Sequence, residues 1–218
     1  MPPASQTVAA LRSLLAVRFP ERGRRPSGEV PAGVGPVDDA LGGGLPAGRL
    51  TELVSAAPSS GGQTVVARLL AATRAARQRM ALVDGADGFA PEAVPAGDLR
   101  HLVWVRCHRA EEAFAVADIL VRDGNYAAAV LDLRGCPERT LRRTPASVWH
   151  RLHRAAEGGS VALLVQTAFP LVPAVPWRLV LDTPFALAGT HASRESLAER
   201  LSLQTERGRE PAIEYLAG

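Results

Sequence analysis

The stretch that decides the fold of this 218-residue chain is residues 37–64, which read VDDALGGGLPAGRLTELVSAAPSSGGQT. Within it, Leu50 to Ser55 form a short apolar run that predicts a buried strand. A loop of small residues follows, and then an Ala- and Arg-rich run over residues 64–79 that predicts a helix. A strand, a glycine-containing loop and a helix in this order can hold a phosphate group, because successive backbone N–H groups of the loop point at one anion.

Two positions of this loop differ from what phosphate binding requires. Ala57 stands where the first glycine is needed, and Gln63 stands where a lysine reaches the phosphate oxygens, whereas Gly61, Gly62 and Thr64 match. Charge-assisted hydrogen bonds are about twice as strong as neutral ones, so glutamine predicts much weaker nucleotide binding. The chain contains no lysine anywhere, but arginine was available at this position. Taken alone, the loop also suits a Gly/Ser turn with a purely structural role.

Downstream of the loop, apolar runs alternate with helical patterns. Strands are predicted over residues 81–84, 102–107, 127–133 and 161–167, and helices over 111–122 and 147–157. Short apolar strands between helices predict a mostly parallel, twisted sheet with helices on both faces, which is an α/β fold. Residues 177–181 and 201–204 are read as two further strands, for which we expect an antiparallel arrangement.

The chain begins with a separate amphipathic segment. Residues 5–19 predict a helix whose apolar stripe consists of Val8, Leu11, Leu15 and Phe19. Residues 20–36 are rich in Arg, Gly and Pro and predict a linker. The sequence therefore divides into an N-terminal helix with its linker (1–36) and a core domain (37–218), and the stripe must pack on this core or on a neighbouring protein.

Composition excludes several classes of protein. Hydrophobic residues make up 47% of the chain, the net charge is +3, and the cysteines are Cys107 and Cys136. We expect both to be buried thiols rather than disulfide or zinc ligands. His150 and His153 share a helix face with no acidic or Cys residue at matching spacing, so we expect no metal and no cofactor. Without a membrane-spanning run or a secretory signal, a cytoplasmic protein is expected.

The segment Asp38 to Arg49 resembles the RecA family, in which an Asp-x-Ala-Leu-Gly-Gly-Gly-Leu-Pro-x-Gly-Arg sequence leads into the first core strand and the phosphate loop. The match is ungapped through Thr64 and stays in register to about Thr183. The resemblance implies a RecA-like core. It also implies that the N-terminal helix corresponds to the helix with which one RecA subunit docks on the next.

The resemblance also assigns roles within a vestigial nucleotide site. It implies that Thr64 is the magnesium-binding residue, that Asp132 ends the Walker B strand, and that Gln166 is the residue sensing the γ-phosphate. The family's catalytic carboxylate lies two residues beyond Asp84, at Ala86, where no carboxyl group is present. With lysine and catalytic base both replaced, the resemblance implies an ATPase site that no longer hydrolyses nucleotide.

The two DNA-binding loops of the family are altered as well. The first would follow Asp132, where Arg134, Arg139, Arg142 and Arg143 form a basic stretch that suits DNA, a partner protein or solvent. The second would be residues 168–176, which are apolar and contain no arginine. Because binding a DNA backbone requires cationic side chains along the groove, we expect weak or absent single-strand binding.

The size, the RecA-like pattern, the altered loop and the N-terminal helix together resemble the ImuA family of bacterial mutagenesis cassettes. This resemblance implies a non-catalytic accessory in damage-induced translesion DNA synthesis, brought to the nucleoid by its partners. Those partners would be ImuB (a Y-family polymerase relative), the RecA filament and an error-prone polymerase α subunit. Two alternatives remain open: a divergent ATPase or nucleotide switch, and a cell-division inhibitor like SulA.

Overall fold

The computed structural model describes residues 28–186 and 192–208. The strands are β1 (Glu29–Val30), β2 (Leu45–Pro46), β3 (Leu50–Ser55), β4 (Met80–Asp84), β5 (Leu102–Arg106), β6 (Ala128–Asp132), β7 (Ala162–Thr167), β8 (Trp177–Leu181) and β9 (Gln204–Arg207). The helices are α1 (Gly35–Leu41), α2 (Gly62–Ala75), α3 (Ala96–Leu99), α4 (Ala110–Asp123), α5 (Glu138–Leu141), α6 (Ala146–Glu157) and α7 (Arg194–Glu199), with a 3₁₀ turn at Pro91–Ala93.

The main sheet confirms the predicted α/β class. In the described residues it has seven strands in the order β5-β4-β6-β7-β3-β8-β9. Each neighbouring pair is parallel except β8 and β9, which are antiparallel. The four strands β3, β4, β6 and β7 are buried along their whole length, which is why they read as continuous apolar runs in the sequence.

Helices cover both faces of this sheet and enclose two hydrophobic cores. On one face α2 packs through Leu69 against Leu53, Leu82 and Leu164. On the other face α4 and α6 pack through Phe114 and Trp149, whose rings meet edge to face at 5.1 Å. Neighbouring residues of one strand alternate between the two cores, as the two-residue period of a strand requires.

Residues 28–34 belong to the core domain. β1 pairs with β2, and Ala32 and Val34 are buried. This contact explains Gly44, the last residue of the glycine run, because a Cβ there would lie 2.5 Å from the carbonyl oxygen of Val30. The predicted linker over residues 20–36 is thus packed on the core from residue 28, and the boundary placed at 36 falls inside α1. The predicted helix over residues 5–19, with Val8, Leu11, Leu15 and Phe19, lies outside the described residues.

Two element predictions are corrected by the structure. The helix expected over residues 64–79 runs from Gly62 to Ala75, since Gly61 before it and Arg77 after it have positive φ angles of 100° and 58° that leave the helical region. At the C-terminal side, β8 is parallel to β3, and the antiparallel strand is β9, which begins at Gln204. Leu201, predicted to open that strand, is instead buried in the core that contains α2.

Candidate nucleotide-binding site

The carboxyl ends of β3, β6 and β7 meet at one edge of the sheet and form a cleft of about 560 Å³. One side of the cleft is the loop 55–64 between β3 and α2, which contains Gly61, Gly62, Gln63 and Thr64. The opposite side is formed by Arg134, Ala168 and Phe185. The β6–β7 register places Asp132 beside Gln166. The structure therefore brings the predicted vestigial nucleotide site together at the edge where ligands bind in parallel α/β sheets.

The loop is held in a tight turn by the C-terminal part of the chain. Ala56 N–H donates to the carbonyl of Leu181 at 3.1 Å, and Phe185 N–H donates to the carbonyl of Ser59 at 3.0 Å. Ser59 takes a positive φ of 58°. A Cβ on Gly61 would overlap the side chain of Leu201 and crowd the ring of Phe185. Apolar side chains therefore cover the loop at Gly61.

Gly62 lies directly beneath two polar side chains. A Cβ at this position would collide with Nε2 of Gln166 and with Oγ of Ser55. These two groups are hydrogen-bonded to each other, with Gln166 Nε2 donating to Ser55 Oγ at 3.3 Å. The match of this position to a phosphate-loop glycine thus has a packing reason inside the protein, independent of any ligand.

The side chain of Asp132 is engaged by Arg134. Arg134 Nε donates to Oδ1 at 3.0 Å and Nη2 donates to Oδ2 at 2.6 Å, and the Arg134 backbone N–H also donates to Oδ1 at 3.1 Å. Asp132 is buried, and the Arg134 side chain is 23% exposed and lines the cleft. Such a fork-shaped pair satisfies both carboxylate oxygens. Sequence reasoning grouped Arg134 with possible DNA or partner contacts, and the structure shows that it also lines this cleft.

Two buried polar atoms around the cleft carry no hydrogen bond. They are Oε1 of Gln166 and Oγ of Ser60. Ser60 lines the cleft, and Gln166 is fully buried. Sequence reasoning identified Gln166 but missed Ser60, Phe185 and Arg134 as parts of this site. The spacing of Arg134 two residues beyond Asp132 was the one sequence signal that could have indicated the pair.

The loop after β4 contains Ala86, the position at which the catalytic carboxylate was expected. Asp84 organises this loop by accepting hydrogen bonds from the N–H groups of Gly88 and Phe89, both at 2.9 Å. The adjacent Asp87 is turned toward Arg106 on the edge strand β5, whose Nε donates to it at 2.6 Å. That hydrogen bond lowers the pKa of Asp87 below its ordinary value. Asp87 does not line the cleft, so Ala86 has no carboxylate substitute there.

The basic stretch does not form one continuous patch. Arg142 donates to Glu138 at 2.6 Å and stacks over the ring of Phe169, 4.5 Å from its centroid. Arg139 and Arg143 are exposed and form no ion pair with the described residues. The apolar segment 168–176, at the position of the second DNA loop, folds back across the sheet with Val172 and Val175 buried.

The cysteines and histidines contribute no further site within the described residues. Cys107 and Cys136 are free and buried, as predicted. Burial and the nearby Asp132 raise the pKa of Cys136 to about 11, so its thiol is protonated and unreactive at neutral pH. Among the residues that the structure covers, no group of acidic, His and Cys side chains could hold a metal ion.

Comparisons with known proteins identify a relationship to RecA. The chain is 34% identical to the protein RecA of Streptomyces ambofaciens over 119 residues, which covers 53% of this chain and 32% of that RecA. It is 36% identical to RecA of Nocardia farcinica and 37% identical to RecA of Mycolicibacterium smegmatis, each over 120 residues. No family model matches the sequence.

The chain spans about a third of the length of the curated relatives it matches. Together with the parallel sheet and the cleft at its carboxyl edge, these identities show a RecA-like core. No helix in the described ranges is long and apolar enough to cross a membrane.

Proposed function

We propose that this chain is a non-catalytic RecA-like accessory protein that acts through contacts with other proteins in damage-induced translesion DNA synthesis, the role of the ImuA family that its sequence resembles. The observation that carries the non-catalytic part is the ion pair between Arg134 and Asp132. A carboxylate at the end of this strand would orient magnesium in a working site, and here both of its oxygens accept hydrogen bonds from a guanidinium group.

Two further features support the absence of hydrolysis. Gln63 supplies no positive charge at the position where a lysine stabilises the phosphates and the transition state. Ala86 supplies no base to activate water. In addition, Phe185 and Leu201 pack over Gly61, next to where phosphate groups would lie on the loop. The residues present therefore do not fit a magnesium–nucleotide complex, and the proposed role does not require a bound nucleotide.

The protein contacts follow from the resemblance and from the apolar stripe Val8, Leu11, Leu15 and Phe19. ImuB is the proposed principal partner, with the RecA filament and an error-prone polymerase α subunit as further partners. In a RecA filament one subunit's N-terminal helix docks on the next subunit's core. A non-hydrolysing relative that carries such a helix would dock at a filament end and cap it.

Calorimetric titration of the full chain with ATP and magnesium tests the non-catalytic part. We expect no heat of binding at millimolar nucleotide. Micromolar binding would overturn the non-catalytic assignment.

The partner part is tested by co-purification of the chain with ImuB, and the chain should retain ImuB equally well in buffer with and without nucleotide. No association at micromolar protein concentrations would overturn the proposed role even if the site proved inert.

A divergent ATPase or nucleotide switch is the second candidate. It is favoured by the positions of Thr64, Ser60 and Gln166 around the cleft, and by the two unpaired polar atoms there. Hydrolysis above that of the Thr64→Ala variant, with or without RecA present, would support this candidate against the first.

A further inference from the structure

A second cleft lies on the other face of the sheet, between the first turns of α4 and α6. Its volume is about 440 Å³. Phe114, which is 5% exposed, lies at its base, and Ala110, Pro145 and Val148 add further apolar surface. It is separate from the nucleotide cleft, with which it shares no lining residue. This is a pocket of the size and composition that receives one large apolar side chain.

The rim of this cleft is positively charged. Arg143 and Arg151 line it, and Arg139 lies beside Arg143 on the adjoining surface. Arg139 and Arg143 form no ion pair with the described residues, while Arg151 reaches Asp118 only at 3.8 Å. Asp118 is already held by Arg122 at 3.1 Å. Two guanidinium groups are therefore free to meet carboxylates.

The N-terminus of α6 adds to this positive potential. The N-terminus of a helix carries a partial positive charge and unsatisfied N–H groups. α6 begins at the cleft with no side-chain hydrogen bond at its N-cap and no acidic residue in its first turn. α4 also begins there, but Glu111 and Glu112 in its first turn offset its charge.

The composition of the surface favours an acidic protein segment over DNA. Glu111 lines the cleft and Glu138 lies beside the arginines, so carboxylates interrupt the cations and leave no continuous track for a phosphate backbone. Arg142 is already held by Glu138 and Phe169. DNA binding also requires a track of cations, and the neighbouring segment 168–176 contains none.

We propose that this cleft docks a short acidic segment of a partner protein, with one large apolar side chain of the partner seated against Phe114 and carboxylates on either side of it meeting Arg139 and Arg143. The segment is recognised by a pocket for one anchor and by charge at its rim, a common division of roles in peptide binding. The docking does not depend on the state of the nucleotide cleft.

Selection of a random peptide library displayed on phage against the full chain tests the proposal. We expect enriched peptides with one Leu, Phe or Trp flanked by Asp or Glu. A synthetic, fluorescently labelled copy of the top peptide should then bind at least tenfold more weakly to Arg139→Glu/Arg143→Glu and to Thr144→Trp. The second variant fills the cleft without changing its charge.

The matched control is Arg79→Glu/Arg100→Glu, which makes the same change of charge at exposed positions near the opposite edge of the sheet. It should bind within twofold of the unaltered chain, and all variants should melt as cooperatively as that chain. Failure to enrich acidic peptides, or binding insensitive to both cleft variants, would overturn the proposal. So would loss of binding to a labelled single-stranded DNA in the arginine variant while peptide binding persists.

Discussion

Arg178 Nε on β8 donates a 2.6 Å hydrogen bond to Oε2 of Glu52 on β3, and the Glu52 side chain is fully buried. The other oxygen, Oε1, accepts from the N–H groups of Leu171 and Val172 at 2.7 and 3.0 Å. One carboxylate on the buried strand β3 therefore fixes both β8 and the segment 168–176 that crosses the sheet between β7 and β8. These hydrogen bonds join β3, β8 and the crossing segment through one buried side chain.

Replacing Arg178 with Met should leave a buried carboxylate without its counter-charge. Breaking one partner of a buried pair costs about 3–5 kcal/mol, so we expect a loss of that order in the free energy of unfolding, measured with urea. Glu52→Gln should cost less, because the amide oxygen still accepts from the two backbone N–H groups. Arg142→Met, which removes an exposed pair, should cost about 0.2–1 kcal/mol. Equal losses at Arg178 and Arg142 would contradict the role assigned to Glu52.

A side chain at position 62 should destabilise the protein as long as Gln166 occupies the adjacent space. Because overpacking costs about 1–3 kcal/mol, Gly62→Ala should lower the free energy of unfolding by that amount. The double variant Gly62→Ala/Gln166→Ala should recover part of the loss, since shortening Gln166 removes one of the three groups that the new methyl meets. Gly88→Ala, in the loop after β4 with open space around it and no positive φ, serves as the control and should be neutral or stabilising. Absence of any coupling between positions 62 and 166 would rule out the collision.

Nucleotide affinity should increase when a positive charge is placed at position 63 and Asp132 is freed from its ion pair with Arg134. Gln63→Lys adds a cation for the phosphates, and Arg134→Ala frees Asp132. A hydrogen bond to a charged group contributes about 1.5–3 kcal/mol, so the double variant should bind a fluorescent ATP analogue with magnesium roughly tenfold or more tightly than the unaltered chain. Gln63→Lys alone should gain less, because Arg134 still occupies Asp132. An equal gain in the single and double variants would show that Arg134 does not block the site.

The apolar stripe of the N-terminal segment should carry the contact with RecA. Leu11→Asp/Leu15→Asp places two charges in that stripe and should abolish co-sedimentation of the chain with RecA filaments. Because the proposed docking uses the stripe for RecA and not for the chain's own core, the melting temperature of the variant should stay near that of the unaltered chain. Retained co-sedimentation would exclude this mode of docking.

The stability of the core domain should fall in weak acid because of His153. Burial lowers the pKa of His153 below the ordinary 6.5, with Glu157 opposing the shift. Below pH 6.5 the unfolded chain therefore binds more protons than the folded one, and stability decreases as pH falls from 6.5 toward the folded-state pKa. His153→Gln should flatten this dependence in urea titrations between about pH 5 and 7.5. His108→Gln, at an exposed position, should leave the dependence of stability on pH unchanged.

Much of the fold was predictable because its signals are local. β3, β4, β6 and β7 are buried on both faces and therefore appear as unbroken apolar runs. Once these strands are parallel, their carboxyl ends share one edge, so the phosphate-loop residues, Asp132 and Gln166 are brought together by the topology alone.

What could not be predicted depends on contacts between distant parts of the chain. Glu52 and Arg178 are 126 residues apart, and neither position differs from a surface charge in the sequence. The same holds for Leu201 and Phe185, whose apolar side chains cover Gly61 only after α7 and β9 have folded back. Arg134 was not predicted to pair with Asp132, and here the reason is not distance along the chain. Its partner is two residues away, but a sequence does not show whether a basic side chain turns inward or outward.

The order of strands in the sheet has a consequence for how this protein is made. β3 leaves the ribosome early, yet its two neighbours are β7 and β8, which follow about 110 residues or more later. Pairings between such distant segments form slowly, because the intervening chain must first be ordered. The strand that leads into the phosphate loop therefore stays unpaired through most of synthesis. A nascent chain that stalls before residue 162 would leave both edges of β3 unpaired, which makes late arrest the stage at which aggregation and chaperone capture are favoured.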